Sequence, residues 1–128
     1  MLSEAAANST VLVVDDMASM RAITKKVLKT YGVKNIVEAE NGKQGLGRLK
    51  VSKIDLVICD WDMPEMNGYE LLQVVKGNAR LSKIPFIMLT ANTSKDFVIK
   101  SLQAKVDDYI VKPYQPQALI DKVKKHLN

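Results

Sequence analysis

Five short aliphatic runs punctuate this chain, and four of them stop on a group that can do chemistry. Residues 11–14 run into Asp15 and Asp16, residues 55–60 end on Asp60, residues 85–90 end on Thr90, and residues 108–111 are followed by Lys112. The remaining run, 36–39, leads into an Asn41-Gly42 turn. Runs that are apolar without alternation belong to strands buried on both faces, the condition of a parallel sheet covered by helices. The intervening stretches supply those helices. Met20, Ile23, Val27 and Tyr31 recur at spacings of three and four while Arg21, Lys25, Lys26 and Lys29 fall elsewhere, so a helix with one buried stripe is predicted, closed by Gly32. Leu46 and Leu49 mark a second helix, and Leu71, Leu72 and Val75 a third. Ser94 can cap a fourth that extends through Leu102, and Pro116 opens a last one with Leu119, Ile120, Val123 and Leu127 inward. Strand and helix alternate five times, which predicts an α/β fold of the (βα)5 type: a five-stranded parallel sheet with helices on both faces. By this reading residues 10–128 form a single domain and residues 1–9 a loose N-terminal tail.

Composition removes several classes of function. The one cysteine, Cys59, cannot make a disulfide framework, and with a single histidine the common zinc clusters are excluded. A Ser-His-Asp arrangement would have to use His126, at the chain end, where order is usually lost. No apolar run reaches the roughly 18 residues of a membrane span, and the first residues lack the basic and then apolar build of a signal peptide. A cytoplasmic, reducing setting is expected, with no membrane insertion. The formal net charge of +5 raises the question of nucleic acid. The lysines are dispersed, and only 5% of residues are aromatic, so a solvated surface is the better reading and no nucleic-acid partner is expected.

In an open parallel sheet ligands sit beyond the carboxyl ends of the strands, and right-handed crossovers bring those ends to one edge. Asp15, Asp16, Asp60, Thr90 and Lys112 therefore converge. Three neighbouring carboxylates raise one another's pKa unless a cation joins them. A hard divalent ion is the expected solution, and Mg²⁺, which accepts a few carboxylates and keeps waters for phosphate oxygens, suits these donors better than Zn²⁺.

The ordered set Asp15-Asp16, Asp60-Trp61-Asp62-Met63-Pro64, Thr90-Ala91 and Tyr109-Ile110-Val111-Lys112-Pro113 resembles the receiver domains of bacterial two-component response regulators. The resemblance covers residues from about 10 to 128, and Trp61 after Asp60 places it nearest the single-domain chemotaxis regulators. It implies a flavodoxin-like, doubly wound fold and a phosphoacceptor role for Asp60. It further implies Mg²⁺, or Mn²⁺, on Asp16, Asp60 and the backbone carbonyl of Asp62, with Asp15 acting through metal-bound water. Lys112 and the Thr90 hydroxyl would neutralise the phosphoryl oxygens, and Pro113 would shape the loop behind Lys112, commonly through a cis bond. The implied switch draws Thr90 toward the phosphate and lets Tyr109 move inward, changing a face that includes Val98, Leu102, Tyr109 and Lys122. Asp62 and Asn92 would flank the entrance and tune the rates. A sensor histidine kinase would be the donor, a target protein such as the flagellar motor switch the output, and a phosphatase a further partner, for a monomer that turns over no separate substrate.

Two departures and two rivals complete the reading, the first rival being a stand-alone receiver in a phosphorelay other than chemotaxis. Lys105 stands where receivers usually carry glycine, a cost if the backbone there is left-handed. Asp62 adds a fourth carboxylate, from which tighter Mg²⁺ binding than in an Asp62→Asn variant is expected. The Asp60-x-Asp62 spacing also superficially fits Mg²⁺-dependent phosphatases that pass through a phosphoaspartate, although the chain is short for their cap and substrate pocket.

Overall fold

In the computed structural model, which describes residues 2–91 and 94–127, five parallel strands form one sheet in the order β2-β1-β3-β4-β5. The strands are β1 (Thr10–Val14), β2 (Asn35–Ala39), β3 (Leu56–Asp60), β4 (Phe86–Thr90) and β5 (Asp108–Val111). The first strand lies one in from an edge; the chain steps outward to β2, then reverses across β1 to β3. This is the expected doubly wound arrangement, and its reversal point lies between β1 and β3.

Period-two geometry divides the sheet's side chains between two cores. Leu12, Val14, Val57, Cys59, Phe86 and Met88 meet α3 (Gly42–Val51), α4 (Gly68–Lys76) and Val98 of α5 (Lys95–Gln103) on one face. Val11, Val13, Leu56, Ile58, Ile87 and Leu89 meet α2 (Ala18–Thr30) and α6 (Pro116–Leu127) on the other. All five residues of β3 and all five of β4 are buried. Strands covered on both faces must be apolar throughout, so their polar termini stand out in the sequence.

Helix α2 turns differently from the stripe expected of it. Thr24 and Leu28 are its buried residues and the expected Val27 and Tyr31 do pack on the core, while Ile23 is 51% exposed. Thr24 is polar and so invisible to an apolar pattern. Its hydroxyl is nevertheless satisfied, sharing a 2.8 Å hydrogen bond with the phenol of Tyr114 in the loop before α6.

The first residues are not the loose tail expected. Ser3 accepts a hydrogen bond from the Ala6 amide at 3.1 Å and caps a short helix, α1 (Glu4–Ala7). Ala6 is fully buried, and Leu2 packs on the α2–α6 layer. The Lys34 amide donates to the Ala7 carbonyl at 3.0 Å, and the Asn35 side chain to the Asn8 carbonyl at 2.9 Å. Alanines carry little hydrophobic signal in a sequence, yet their size permits this close approach.

Two helices end in the same hydrogen-bonded motif with different residues at its left-handed position. After α2, Val33 donates to Leu28 and Gly32 to Lys29, with Gly32 at φ +104°. After α5, Val106 donates to Ser101 and Lys105 to Leu102, with Lys105 at φ +63°. The strain anticipated at Lys105 is therefore present, and glycine there should relieve it. Lys105→Gly is expected to raise stability by about 0.5–1 kcal/mol, the left-handed penalty less the entropic cost of glycine. Urea unfolding measures this, and a less stable variant would refute it.

The first residue of β5 anchors that edge strand to α6. Asp108 receives Lys122 at 2.8 Å, His126 at 3.2 Å and Lys125 at 3.4 Å. Burial alone would raise its carboxyl, but the bonds from Lys122, His126 and Lys125 win and hold it below the usual carboxylate range. A folded value below the unfolded one means that this stability is present above the ordinary Asp value of about 3.9 and is lost as pH falls through the folded value. Asp108→Asn should therefore be less stable than wild type at pH 6, with the gap closing in acid; an equal gap by urea unfolding at pH 3 would contradict the assignment.

Candidate functional site

Strands β1, β3, β4 and β5 deliver polar residues to the carboxyl edge, and the ladder continues past the strand ends to hold them. The Asp15 amide donates to Ala39 at 3.1 Å, the Trp61 amide to Leu89 at 3.0 Å, and the Lys112 amide to Thr90 at 2.7 Å. Asp15 and Thr90 are buried, Asp60 is 8% exposed, and Asp16 is open to solvent. Asp15, Asp16, Asp60 and Lys112 lie together, and Thr90 ends the strand whose last carbonyl accepts the Lys112 amide.

The Lys112 ammonium lies between acids, 3.0 Å from Asp60 Oδ1 and 3.4 Å from Asp15 Oδ2. The other Asp15 oxygen accepts the Met17 amide at 3.0 Å. Burial pushes the Asp60 carboxyl up; the Lys112 bond and charge oppose this, the charges of Asp15 and Asp16 add to it, and the pKa remains raised. For Lys112 burial pulls downward, but its bond to Asp60 and the negative charges around it prevail, leaving the ammonium above its ordinary value. Lys112 is thus a fixed cation at neutral pH. The Cys59 thiol, fully buried, is driven well above its ordinary value first by burial and then by Asp60 and Asp15, so it stays a protonated core residue.

Asp15, Asp16 and Asp60 each offer a carboxylate oxygen, and these oxygens all lie within 4.8 Å of one another. Three carboxylates against one ammonium leave two negative charges uncompensated. A divalent cation matches that balance, and an all-oxygen donor set is what Mg²⁺ or Mn²⁺ prefers. These residues fit such an ion. The carboxylate of Asp62, by contrast, is exposed and does not join the trio, which corrects the expectation of a fourth acid beside the metal.

The turn from β3 to α4 is tightly constructed. The Gly68 amide donates to the Trp61 carbonyl at 2.9 Å, and a methyl group at Gly68 would collide with the carbonyl oxygen of Asp60. Asn67 and Glu70 form a reciprocal capping box at the start of α4. Gly68 therefore sets the floor beneath Asp60, a role the sequence reading left unassigned.

Arg21 was also missed. Its Nη1 donates to the Asp15 carbonyl at 2.7 Å, and its Nε lies 3.4 Å from Glu38 Oε1, so a residue read as outward surface braces the turn carrying both first-strand acids. A cation six residues after an acid, on the next helix, was the available signal.

The remaining expected residues lie elsewhere on the molecule. The Lys112–Pro113 peptide is cis. Val98 is half-buried against the core, whereas Ile99, Leu102 (67% exposed) and Tyr109 present apolar surface from α5 and β5. Lys122 is engaged by Asp108. Asn92 and the side chain of Phe97 lie outside the described residues.

With this geometry established, similarity to known proteins is specific. The family profile of the response regulator receiver domain matches residues 11–124. The chemotaxis protein CheY of Pseudomonas aeruginosa is 39% identical over 115 residues, covering 90% of this chain and 93% of that protein. CheY1 of Helicobacter pylori is 42% identical over 113 residues, 88% of this chain and 91% of its own. Among solved structures, the receiver domain of a signal transduction histidine kinase from Syntrophus aciditrophicus superposes with a TM-score of 0.87 at 34% identity, covering 93% of this chain and 89% of that one. The chain belongs to the response regulator receiver family and is of the CheY type.

Proposed function

We propose that this receiver domain is a phosphoacceptor switch in which Asp60 is the acceptor, serving chemotaxis by acting on the flagellar motor. The observation that carries the reading is the placement of Asp60, nearly buried at the reversal point, with the Lys112 ammonium 3.0 Å away and two further carboxylates beside it. The donor is a phosphohistidine of a sensor histidine kinase. An Asp60 carboxylate oxygen attacks phosphorus, the P–N bond breaks as the O–P bond forms, and the imidazole nitrogen leaves with the electron pair and is protonated.

Asp16, Asp60 and the backbone carbonyl of Asp62 would hold Mg²⁺ (or Mn²⁺), with Asp15 alongside, and the ion would offset charge on the phosphoryl oxygens. The chain's own groups do the rest. Lys112 supplies a fixed positive charge, and the Thr90 hydroxyl a directed donor, both in a partly dehydrated pocket where electrostatic contacts strengthen. Asp62 and Asn92 flank the approach and tune the rates, and Pro113 shapes the loop behind Lys112. Thr90 and Tyr109 then convey the change to a face built from Val98, Leu102, Tyr109 and Lys122, where a target protein docks. A phosphatase restores the ground state. The chain works in the cytoplasm as a monomer, without membrane insertion or nucleic acid, and consumes no substrate beyond its own phosphorylation and dephosphorylation.

Incubation with acetyl phosphate and Mg²⁺ should add one phosphoryl group to wild type, seen by intact mass, and none to Asp60→Asn. Equal labelling of the two would sink the assignment. Titration with Mg²⁺ followed by Trp61 fluorescence should show Asp16→Asn weakened by about tenfold or more. Asp62→Asn, whose carboxylate is exposed, should change affinity by no more than about fivefold; the opposite ranking would remove Asp16 from the metal site.

A further inference from the structure

The three clustered acids are not held alike. Asp15 is fixed by the Met17 amide and by Lys112, and Asp60 by Lys112 and by the buried strand that ends on it. Asp16 is exposed, and among the described residues its carboxylate makes no hydrogen bond or ion pair. Its direction is therefore set by the peptide unit that joins it to Asp15. That unit is gripped from outside, because Arg21 Nη1 donates to the Asp15 carbonyl at 2.7 Å. A peptide unit is planar, so holding its carbonyl also holds the amide from which Asp16 starts.

The arginine stands there against local preference. It lies near the amino end of α2, the positive end of the helix dipole, where an acid is favoured and a cation is not. That first turn holds no acid, and Met17 at the cap position makes no side-chain hydrogen bond to it. Arg21 Nε is buried, and although Glu38 Oε1 is 3.4 Å away the contact lacks hydrogen-bond geometry, a cost in stability. Packing does not explain the residue either. An open polar depression of about 190 Å³, lined also by Glu40, Gln44 and Arg48, adjoins it, so water can follow a shortened side chain. Departures of this kind from what the helix alone would choose mark residues kept for a site. Glu38 is the anchor on the far side: it meets Arg21 and, at 3.3 Å, Lys25, while its carbonyl accepts from Arg48 Nε at 3.3 Å. The guanidinium thus ties the edge strand β2 to the first peptide beyond β1.

We propose that Arg21, anchored by Glu38, is a positioning residue for the cation site: it fixes the peptide between Asp15 and Asp16, and with it the direction of the Asp16 carboxylate, while touching neither the metal nor the phosphoryl group. The inference rests on the reading of Asp16 as a ligand of Mg²⁺. A guanidinium this close also brings positive charge, which by itself repels a dication. Positioning and charge therefore push Mg²⁺ affinity in opposite directions, and substitutions at Arg21 separate them.

The test is Mg²⁺ titration of the full chain, followed by Trp61 fluorescence. Lysine keeps the charge but lacks the planar fork. Arg21→Lys should weaken binding by about fivefold or more, and Arg21→Gln should weaken it as well. Were Arg21 a charge only, the lysine variant would match wild type and the glutamine variant would bind Mg²⁺ more tightly; either result overturns the proposal. Glu38→Gln should cost about two- to threefold alone and little more in the Arg21→Lys background, whereas additive losses would contradict the linkage. In labelling by acetyl phosphate, the Mg²⁺ concentration for half-maximal rate should rise by the same factor as Kd, with a smaller fall in the rate at saturating Mg²⁺. General loosening of the fold would not give that split, and an affinity loss that merely tracks the unfolded fraction seen by circular dichroism would also overturn the proposal. Asp16→Asn is the control: if it leaves Mg²⁺ affinity unchanged, the metal reading itself fails, and if it weakens binding while Arg21→Lys does not, only the role given to Arg21 fails.

Discussion

A single ammonium among three carboxylates governs how this molecule is put together at its working edge. Lys112 touches Asp60 and Asp15, and those contacts join β5, β3 and β1, strands that are not all neighbours in the sheet. Without the lysine, Asp60 would lose the cation that opposes its burial and would be driven further toward protonation. With it, Asp60 remains titrated high yet is accompanied by a cation at neutral pH. The surplus of negative charge that remains is confined to one end of the sheet in a protein whose overall balance is positive. Attraction for a metal and repulsion of an unaccompanied phosphate thus come from one local cluster, while the protein as a whole attracts acidic surfaces at long range.

The two cores serve that edge in different ways. On the α3–α4 side, close packing reaches the main chain itself: Gly68 presses against the Asp60 carbonyl, and Gly42 donates to the Met66 carbonyl at 2.9 Å, leaving no room for a side chain at either glycine. On the α2–α6 side polar links do the positioning, through Arg21 on the Asp15 carbonyl and Thr24 on Tyr114. One face fixes the height beneath Asp60, and the other fixes the lateral position of the acids and the lysine.

Most of this edge was legible in the sequence because burial on both faces forces strands to be apolar, so the first polar residue after each run marks the rim. Asp15, Asp60, Thr90 and Lys112 needed nothing more than that rule and right-handed crossovers. The failures have equally physical causes. Thr24 was hidden because a satisfied hydroxyl in a core looks like surface in a linear pattern, and the buried stripe of α2 was consequently rotated onto Ile23. Arg21 was counted as solvated because its partner is a backbone carbonyl, which no sequence displays. The alanines before β1 carried too little apolar signal to announce α1. The Asp62 carboxylate was given a place in the acidic cluster on proximity in the chain alone, whereas the residue is exposed and outside the trio of Asp15, Asp16 and Asp60.

The Thr24–Tyr114 bond closes a circuit. Covalent chain runs from Asp15 through α2 to Thr24, the two hydroxyls bridge to Tyr114, the chain leads back two residues to Lys112, and the ammonium returns to Asp15. A closed circuit of this kind behaves as a mechanical linkage rather than as a pair of independent loops. Its weakest member is the 3.4 Å contact of Lys112 with Asp15, so a swing of the lysine toward a newly arrived charge opens the circuit there and leaves the hydroxyl bridge alone to tie α2 to the chain that carries the lysine.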